Sequence, residues 1–549
     1  MTYGTQSKDM TKKLDKIIGI ALLILSALCI LRALSLCTST DIWYDELFTM
    51  EFANKPVTEM ISLTARDVHP PLYYFLVKFG LALGKLYAPL VNGVVIAKIV
   101  SVVPFILILI LACTKVRKSF GYLAAGVFSF CTMAMPQMTD YMVEIRMYGW
   151  ALFFVTAALL HAYALLEDKP FGEKSWRLSD AIPLALYSIA ACYTHYYACI
   201  AVFCIYFLMF IWMIVFFLKT GSDRNPFYLE RKLNFRVFGV LLIDANLTAF
   251  SFLPWVSALA GQVGDVKSSY WIQPLTIRSI GGCIKFLFKP SFSNQILANA
   301  FAVVLFAGAA FVCIYTVLKC SDKLKAGFII ISLGTLVMLV AAGFILSALI
   351  RPVFVYRYML PACGGLWLAV GVSVQECWKR VQADKSKLFV KLLSAFFTLV
   401  ILICGIRGVW AFRGNELYKE VQMENTKTQL LKISPDTKIV CNFMQVQGVT
   451  LYELENCLGI DGSKYEIYLY EAEPETLIAE MMPQVVALAD ASQIREWLDN
   501  GENVIFLGSF NARDEILAQW KENYGIDSTD TGSCMLERYW FDIYELEIS

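Results

Sequence analysis

The sequence predicts a polytopic α-helical membrane protein with a small α/β domain at its C-terminal end. Three observations carry this. The 549 residues are 58% hydrophobic and only 17% charged, against about 25% charged in a soluble domain, and the mean hydropathy is +0.58. Eleven apolar runs approach or exceed the ~20 residues that a helix needs to cross a ~30 Å hydrocarbon layer. After about residue 410 the chain becomes charged, and short β-type runs alternate with helical patterns. Lys and Arg (47) nearly cancel Asp and Glu (46), leaving a net charge of +1, so no electrostatic case exists for a nucleic-acid partner.

The runs cover 17–37, 90–113, 119–136, 147–166, 182–197, 199–218, 236–256, 296–318, 327–350, 359–376 and 388–410. The first is too long for a signal-peptide core and lacks a small-residue cleavage site, so it reads as a retained anchor. Alternate connections (1–16, 114–118, 167–181, 219–236, 319–325 and 377–391) hold 23 Lys and Arg, which by the positive-inside rule places them and the N-terminus in the cytoplasm. The expected layout is a cytoplasmic segment 1–16, a plasma-membrane domain 17–410 with external loops 38–89 and 257–295, and an extracytoplasmic domain 411–549. Residues 71–88 are apolar enough to suggest a further span, but Lys78 and Lys85 share one helical face, so the segment reads as an interfacial helix. In the tail, β-type runs at 439–443, 465–470, 503–508 and 535–547 and helical patterns at 491–499 and 511–523 predict the α/β domain. Most of the 16 cysteines lie in apolar runs, where Cys packs as a small hydrophobe. Cys441, Cys457 and Cys534 lie in the tail and allow at most one disulfide.

The chain has no Walker A loop, no G-x-G-x-x-G, no H-E-x-x-H and no C-x-x-C, which disfavours ATP-driven transport and nucleotide chemistry. With the topology set, five polar clusters map to the outer face, where ionisable groups at membrane depth are costly and therefore candidate functional groups. They are Asp41 to Glu46, Asp67 to Tyr74, Glu144 to Tyr148, Thr194 to Tyr197 and Arg351 to Tyr358. Asp45 and Glu46 point about 100° apart on a helix, so they do not oppose one another as an acid/base pair. Two readings stay open: one carboxylate faces a site, or both simply favour a helix N-terminus. His69 and His195 can donate to a phosphate or move a proton. His161 reads as a packed or helix-bonded residue. Arg146, Arg351 and Arg357 run against the positive-inside trend beside Tyr148, Tyr356 and Tyr358, which suits bidentate recognition of a phosphate; snorkelling and aromatic anchoring would also place them there.

Taken together, W-x-D-E (Trp43, Asp45, Glu46), D-x-H-P-P-L-Y-Y (Asp67 to Tyr74), E-x-R-M-Y (Glu144 to Tyr148), T-H-Y (Thr194 to Tyr196) and R-Y-x-x-P (Arg357 to Pro361) resemble the bacterial family 39-like glycosyltransferases. These are relatives of protein O-mannosyltransferases and aminoarabinose transferases among the C-fold glycosyltransferases. The resemblance covers roughly residues 15–410 and leaves the tail without an assigned role. It implies a transferase that takes a sugar from a polyprenyl-phosphate donor and passes it to a hydroxyl of a protein, lipid or glycan, with inversion. Asp45 resembles the family's first-loop base, and Glu46 follows it in the motif. Chemistry assigns Arg146 and Arg357, with Tyr148 and Arg351, to the donor phosphate, and Asp67, His69, His195, Tyr196 and Trp271 to the substrate site. Loop 257–295, carrying Trp271, is long enough for a lid. The motifs specify no cofactor, and a divalent cation stays open: some C-fold enzymes use one, while others position the phosphate with basic residues alone, the case the arginines here favour slightly. A transporter or flippase for lipid-linked sugars would also need a phosphate cavity. It calls, however, for repeats and broken helices at the midplane, and no repeat is visible.

Overall fold

Every apolar run forms a helix, since no unsatisfied backbone group is tolerated in hydrocarbon and a helix satisfies its own. The structure, a computed structural model, describes residues 2–135, 138–167, 178–220, 228–268, 272–383 and 388–549. Among these residues nine helices are long and apolar enough to cross a membrane: Lys13–Leu36, Gly93–Phe120, Tyr148–Leu166, Tyr196–Val215, Val237–Gly264, Gln295–Lys319, Lys323–Leu349, Tyr356–Lys379 and Leu388–Leu430. The two other expected spans are shorter. Tyr122–Ala134 has 13 residues because Gly121, at φ +112°, delays its start. Leu178–Thr194 has 17 residues and ends before His195. Two boundaries move outward. The helix after residue 388 continues to Leu430, because no proline interrupts it, and the expected seventh span passes through a 3-10 turn at Leu253–Trp255, containing Pro254, into Val256–Ser268. Loop 257–295 is therefore largely helical, with Ile277–Phe288 as its second helix. Trp271 lies outside the described residues.

The chain divides into two units, one of residues 1–35, 64–73 and 100–412 and one of residues 36–63, 74–99 and 413–549. In the first, the helix Leu360–Ala383 is central and packs on Tyr122–Ala134, Tyr148–Leu166, Gln295–Lys319 and Lys323–Leu349. Small residues let backbones approach closely. A Cβ on Gly126 would lie 2.5 Å from the carbonyl oxygen of Gly19, and Ser26 and Ser129 share a 2.8 Å hydrogen bond at this crossing. His161 is buried, as expected of a packed residue, and also lies 3.1 Å from Asp180 of another helix, which binds Lys115 at 2.9 Å.

The second unit is built on a six-stranded sheet in the order β3-β2-β1-β4-β6-β5. Its strands are β1 (Lys438–Cys441), β2 (Ile467–Tyr470), β3 (Val485–Leu488), β4 (Val504–Gly508), β5 (Ile526–Leu536) and β6 (Tyr539–Ile548). β1 to β4 are parallel, and β6 is antiparallel to both β4 and β5. Trp520, Phe506, Val440, Leu488 and Ile494 form its core. The run 535–547, expected as one strand, is the end of β5, a two-residue turn at Glu537 and Arg538, and most of β6. Neither residue carries a turn signal, so the sequence reads straight through. Cys441, Cys457 and Cys534 are free thiols. Residues 71–88, expected as a helix and not a span, form the helix Leu72–Tyr87, and Lys78 donates to the carbonyls of Ala53 and Lys55 at the end of the helix Tyr44–Asn54.

Candidate functional site

In the first unit, four segments far apart in sequence bring their polar residues together. Asp67 and His69 precede Pro70 and Pro71, whose fixed φ holds the turn. Arg146 and Tyr148 stand at the start of the helix Tyr148–Leu166, His195 is the single non-helical residue between two helices, and Arg357 lies in the 3-10 turn Tyr356–Met359. The Nδ1 of His69 is 3.7 Å from an Asp67 carboxylate oxygen. The rings of His69 and His195 are 5.4 Å apart, those of Tyr148 and His195 5.5 Å, and those of His195 and Tyr358 5.1 Å. The Arg357 guanidinium lies 5.8 Å from the centre of the Tyr148 ring, within cation–π range. Arg146 is buried. Burial pushes the Asp67 carboxyl up, but His69, the Val68 N–H and the Arg146 charge outweigh it and hold Asp67 below the usual carboxylate range.

A cavity of about 160 Å³ opens beside these groups. His69, His195, Tyr196 and Tyr358 line its polar side, and Ile200, Leu259, Leu346 and Val353 are among its apolar walls. Tyr196 donates to the side-chain oxygen of Gln262 and accepts from the Trp255 indole at 3.0 Å. Gln262 in turn donates to the carbonyls of Thr64 and Ala65, fixing the wall near His69. Arg351 follows the helix Lys323–Leu349, half-buried, and is not on the cavity wall.

His195 accepts from the Tyr197 N–H through Nδ1 at 3.0 Å, which puts the proton on Nε2. That buried N–H has no acceptor among the described residues. Burial, then the charges of His69, Arg146 and Arg357, push the His195 pKa well below its ordinary value, so the ring is neutral at neutral pH. An unfolded histidine titrates near ~6.5 and takes up its proton first as the pH falls. The stabilisation is therefore complete above about pH 6.5 and is lost progressively below it. The expected outcome is a melting temperature that declines on acidification from about pH 6.5, with a shallower decline in H195Q, read by thermal unfolding in nanodiscs. An identical slope in the two proteins would remove His195 as the titrating group.

Asp45 and Glu46 belong to the second unit. Asp45 is half-buried and Glu46 is 4% exposed. Glu46 accepts the Trp43 N–H at 3.1 Å, closing the first turn of the helix Tyr44–Asn54 in the manner of a capping box. Asp41 is tied to Ser39 and, at 2.9 Å, to Lys98; Lys98 also donates to the Ser39 carbonyl at 2.8 Å. Burial raises the Asp41 carboxyl, yet the charges of Lys98 and Lys419 and the Ser39 bond hold it well below the usual range. Lys98 and Gln262 were missed by sequence reasoning. A lone lysine in an apolar run is costly and was a usable signal; Gln262 gave none. Among the described residues no three His, Cys, Asp or Glu side chains gather to hold a metal ion.

No protein-family model matches the chain, and no curated protein matches it. Solved structures that share its architecture include two of one protein. ArnT from Cupriavidus metallidurans in the apo state superposes with a TM-score of 0.57 at 11% identity, over 96% of this chain and 97% of ArnT. The same protein bound to undecaprenyl phosphate gives 0.56 at 11% identity, with the same coverage. The likeness therefore runs beyond residue 410, further than the motifs reach. At this identity it establishes the fold: the chain is a multi-pass membrane protein with the C-type glycosyltransferase fold that its motifs led us to expect.

Proposed function

We propose that the protein is a membrane glycosyltransferase that moves a sugar from a polyprenyl-phosphate donor to a hydroxyl acceptor on the extracytoplasmic face. One observation carries this reading. The cavity of the first unit joins apolar walls to a buried histidine N–H without an acceptor, in a cluster holding two arginines. An apolar chain ending in an anion matches both halves: the walls exclude water from the isoprenoid, and a donor left unmatched in a low-dielectric site favours a charged acceptor. That ArnT is known bound to undecaprenyl phosphate supports the same class of carrier here.

In this mechanism Asp45 accepts the proton of the acceptor hydroxyl as the oxygen attacks the anomeric carbon opposite the phosphate, so the configuration inverts. The bond to the phosphate breaks, and the polyprenyl phosphate leaves as an anion. Arg146 and Arg357 stabilise that growing charge, as preorganised cations do, and His195 adds a neutral hydrogen bond. Asp67 orients His69. The assignment of Asp45 rests on the W-x-D-E motif; Glu46 is the residue that closes the helix turn. The acceptor is a hydroxyl of a protein, a lipid or a cell-wall glycan.

The test is turnover by the full chain in nanodiscs, offered a panel of polyprenyl-phosphate sugars and the matching nucleotide sugars with membrane extract as acceptor source. Release of polyprenyl phosphate is the expected result. Absence of release from every donor, together with transbilayer movement of a lipid-linked sugar, would replace the transferase by a flippase.

A further inference from the structure

The turn between β5 and β6 is made by residues poorly suited to it. Leu536 pairs with Tyr539, so Glu537 and Arg538 are the whole loop, at φ +49° and +64°. Two-residue hairpin turns of this kind favour Asn-Gly or Asp-Gly, because a side chain in the left-handed region meets its own backbone. Such positions persist where something else holds them. Here the holder lies in the same unit. The Glu537 carboxylate accepts the N–H of Tyr44, the first residue of the helix Tyr44–Asn54, whose leading N–H groups have no partner within the helix. The Arg538 guanidinium lies 4.2 Å from the centre of the Trp43 ring, a close cation–π contact. Burial, and after it the charges of Asp45 and Glu46, raise the Glu537 carboxyl to about 8 despite the Tyr44 N–H and Arg538. The same helix is buttressed further along, where Met444–Tyr452 packs on it and a Cβ on Gly448 would come within 2.7 Å of Leu47.

We propose that Glu537 and Arg538 are positioning residues for the first-loop carboxylate: the strained turn of the C-terminal domain grips Trp43 and Tyr44 and so sets the direction of Asp45. The C-terminal domain is then part of the catalytic machinery, because the two residues immediately before Asp45 are fixed by it. This inference rests on the reading of Asp45 as the base.

The decisive variant replaces the turn by the residues that a two-residue hairpin prefers. E537N/R538G in the full chain is expected to keep or raise the amide-exchange protection of β5 and β6, since the backbone strain is relieved, while kcat falls by about 10- to 100-fold, the scale of a small misplacement of a catalytic group. The donor KM is expected to stay near the wild-type value. E537A is expected to lose turnover in the same way, and E537Q, which keeps an acceptor oxygen for the Tyr44 N–H, to recover most of it. Wild-type kcat in E537N/R538G, or equal losses in E537Q and E537A, would overturn the inference. Measuring D45N beside them separates the two claims. An inactive D45N with fully active turn variants removes the positioning role alone, whereas an active D45N removes Asp45 as the base and the inference with it.

Discussion

Replacing Asp45 by asparagine is expected to lower turnover by about 10²- to 10⁴-fold, the usual contribution of a general base, with donor binding retained. Asparagine keeps the size and the hydrogen-bonding shape of the side chain but cannot take the acceptor's proton. The loss should therefore appear in kcat and in kcat/KM alike, as for an interaction made in the transition state. The neighbouring E46Q is the informative contrast. Glu46 is buried against the Trp43 N–H, a bond that an amide oxygen also accepts, so its loss should be far smaller than that of D45N. Steady-state release of polyprenyl phosphate measures both. A larger loss in E46Q than in D45N would exchange the two carboxylates' roles.

The second large effect concerns the arginines. R146Q and R357Q are each expected to weaken binding of the polyprenyl-phosphate donor by about 10- to 100-fold, the worth of a charge-assisted hydrogen bond of ~1.5–3 kcal/mol. Lysine at either position keeps the charge but not the planar fork, so R357K should fall between R357Q and the wild type; it also loses the guanidinium face set against Tyr148. The effects should be less than additive in the double variant if both side chains grip one phosphate. Titration of labelled donor into nanodiscs reads each affinity. Unchanged affinity in both single variants would transfer the phosphate to the histidines.

Much of the fold was legible because its signals are local. A run of about twenty apolar residues specifies a helix that must satisfy its own backbone, and all eleven runs became helices. The boundaries moved where a local feature outweighed hydropathy: Gly121 shortened one helix, and the absence of a breaker carried another to Leu430. The parallel strands β1, β2 and β4 were found from their β-rich composition, whereas β3 was not.

The sequence by itself determined the membrane class, the helices and the identity of the polar residues worth asking about. Which of those residues form a group was decided only by tertiary structure. His69, Arg146, His195 and Arg357 come from four segments whose meeting depends on helix packing, and nothing local encodes it; the cavity beside them exists only once the helices bearing Ile200, Leu259 and Leu346 are packed. The turn at Glu537 and Arg538 is the clearest case. Its backbone runs against the propensities of both residues, so sequence reasoning passed over it. It becomes intelligible through the Tyr44 N–H and the Trp43 ring, which lie nearly 500 positions earlier in the chain and outweigh the local preference.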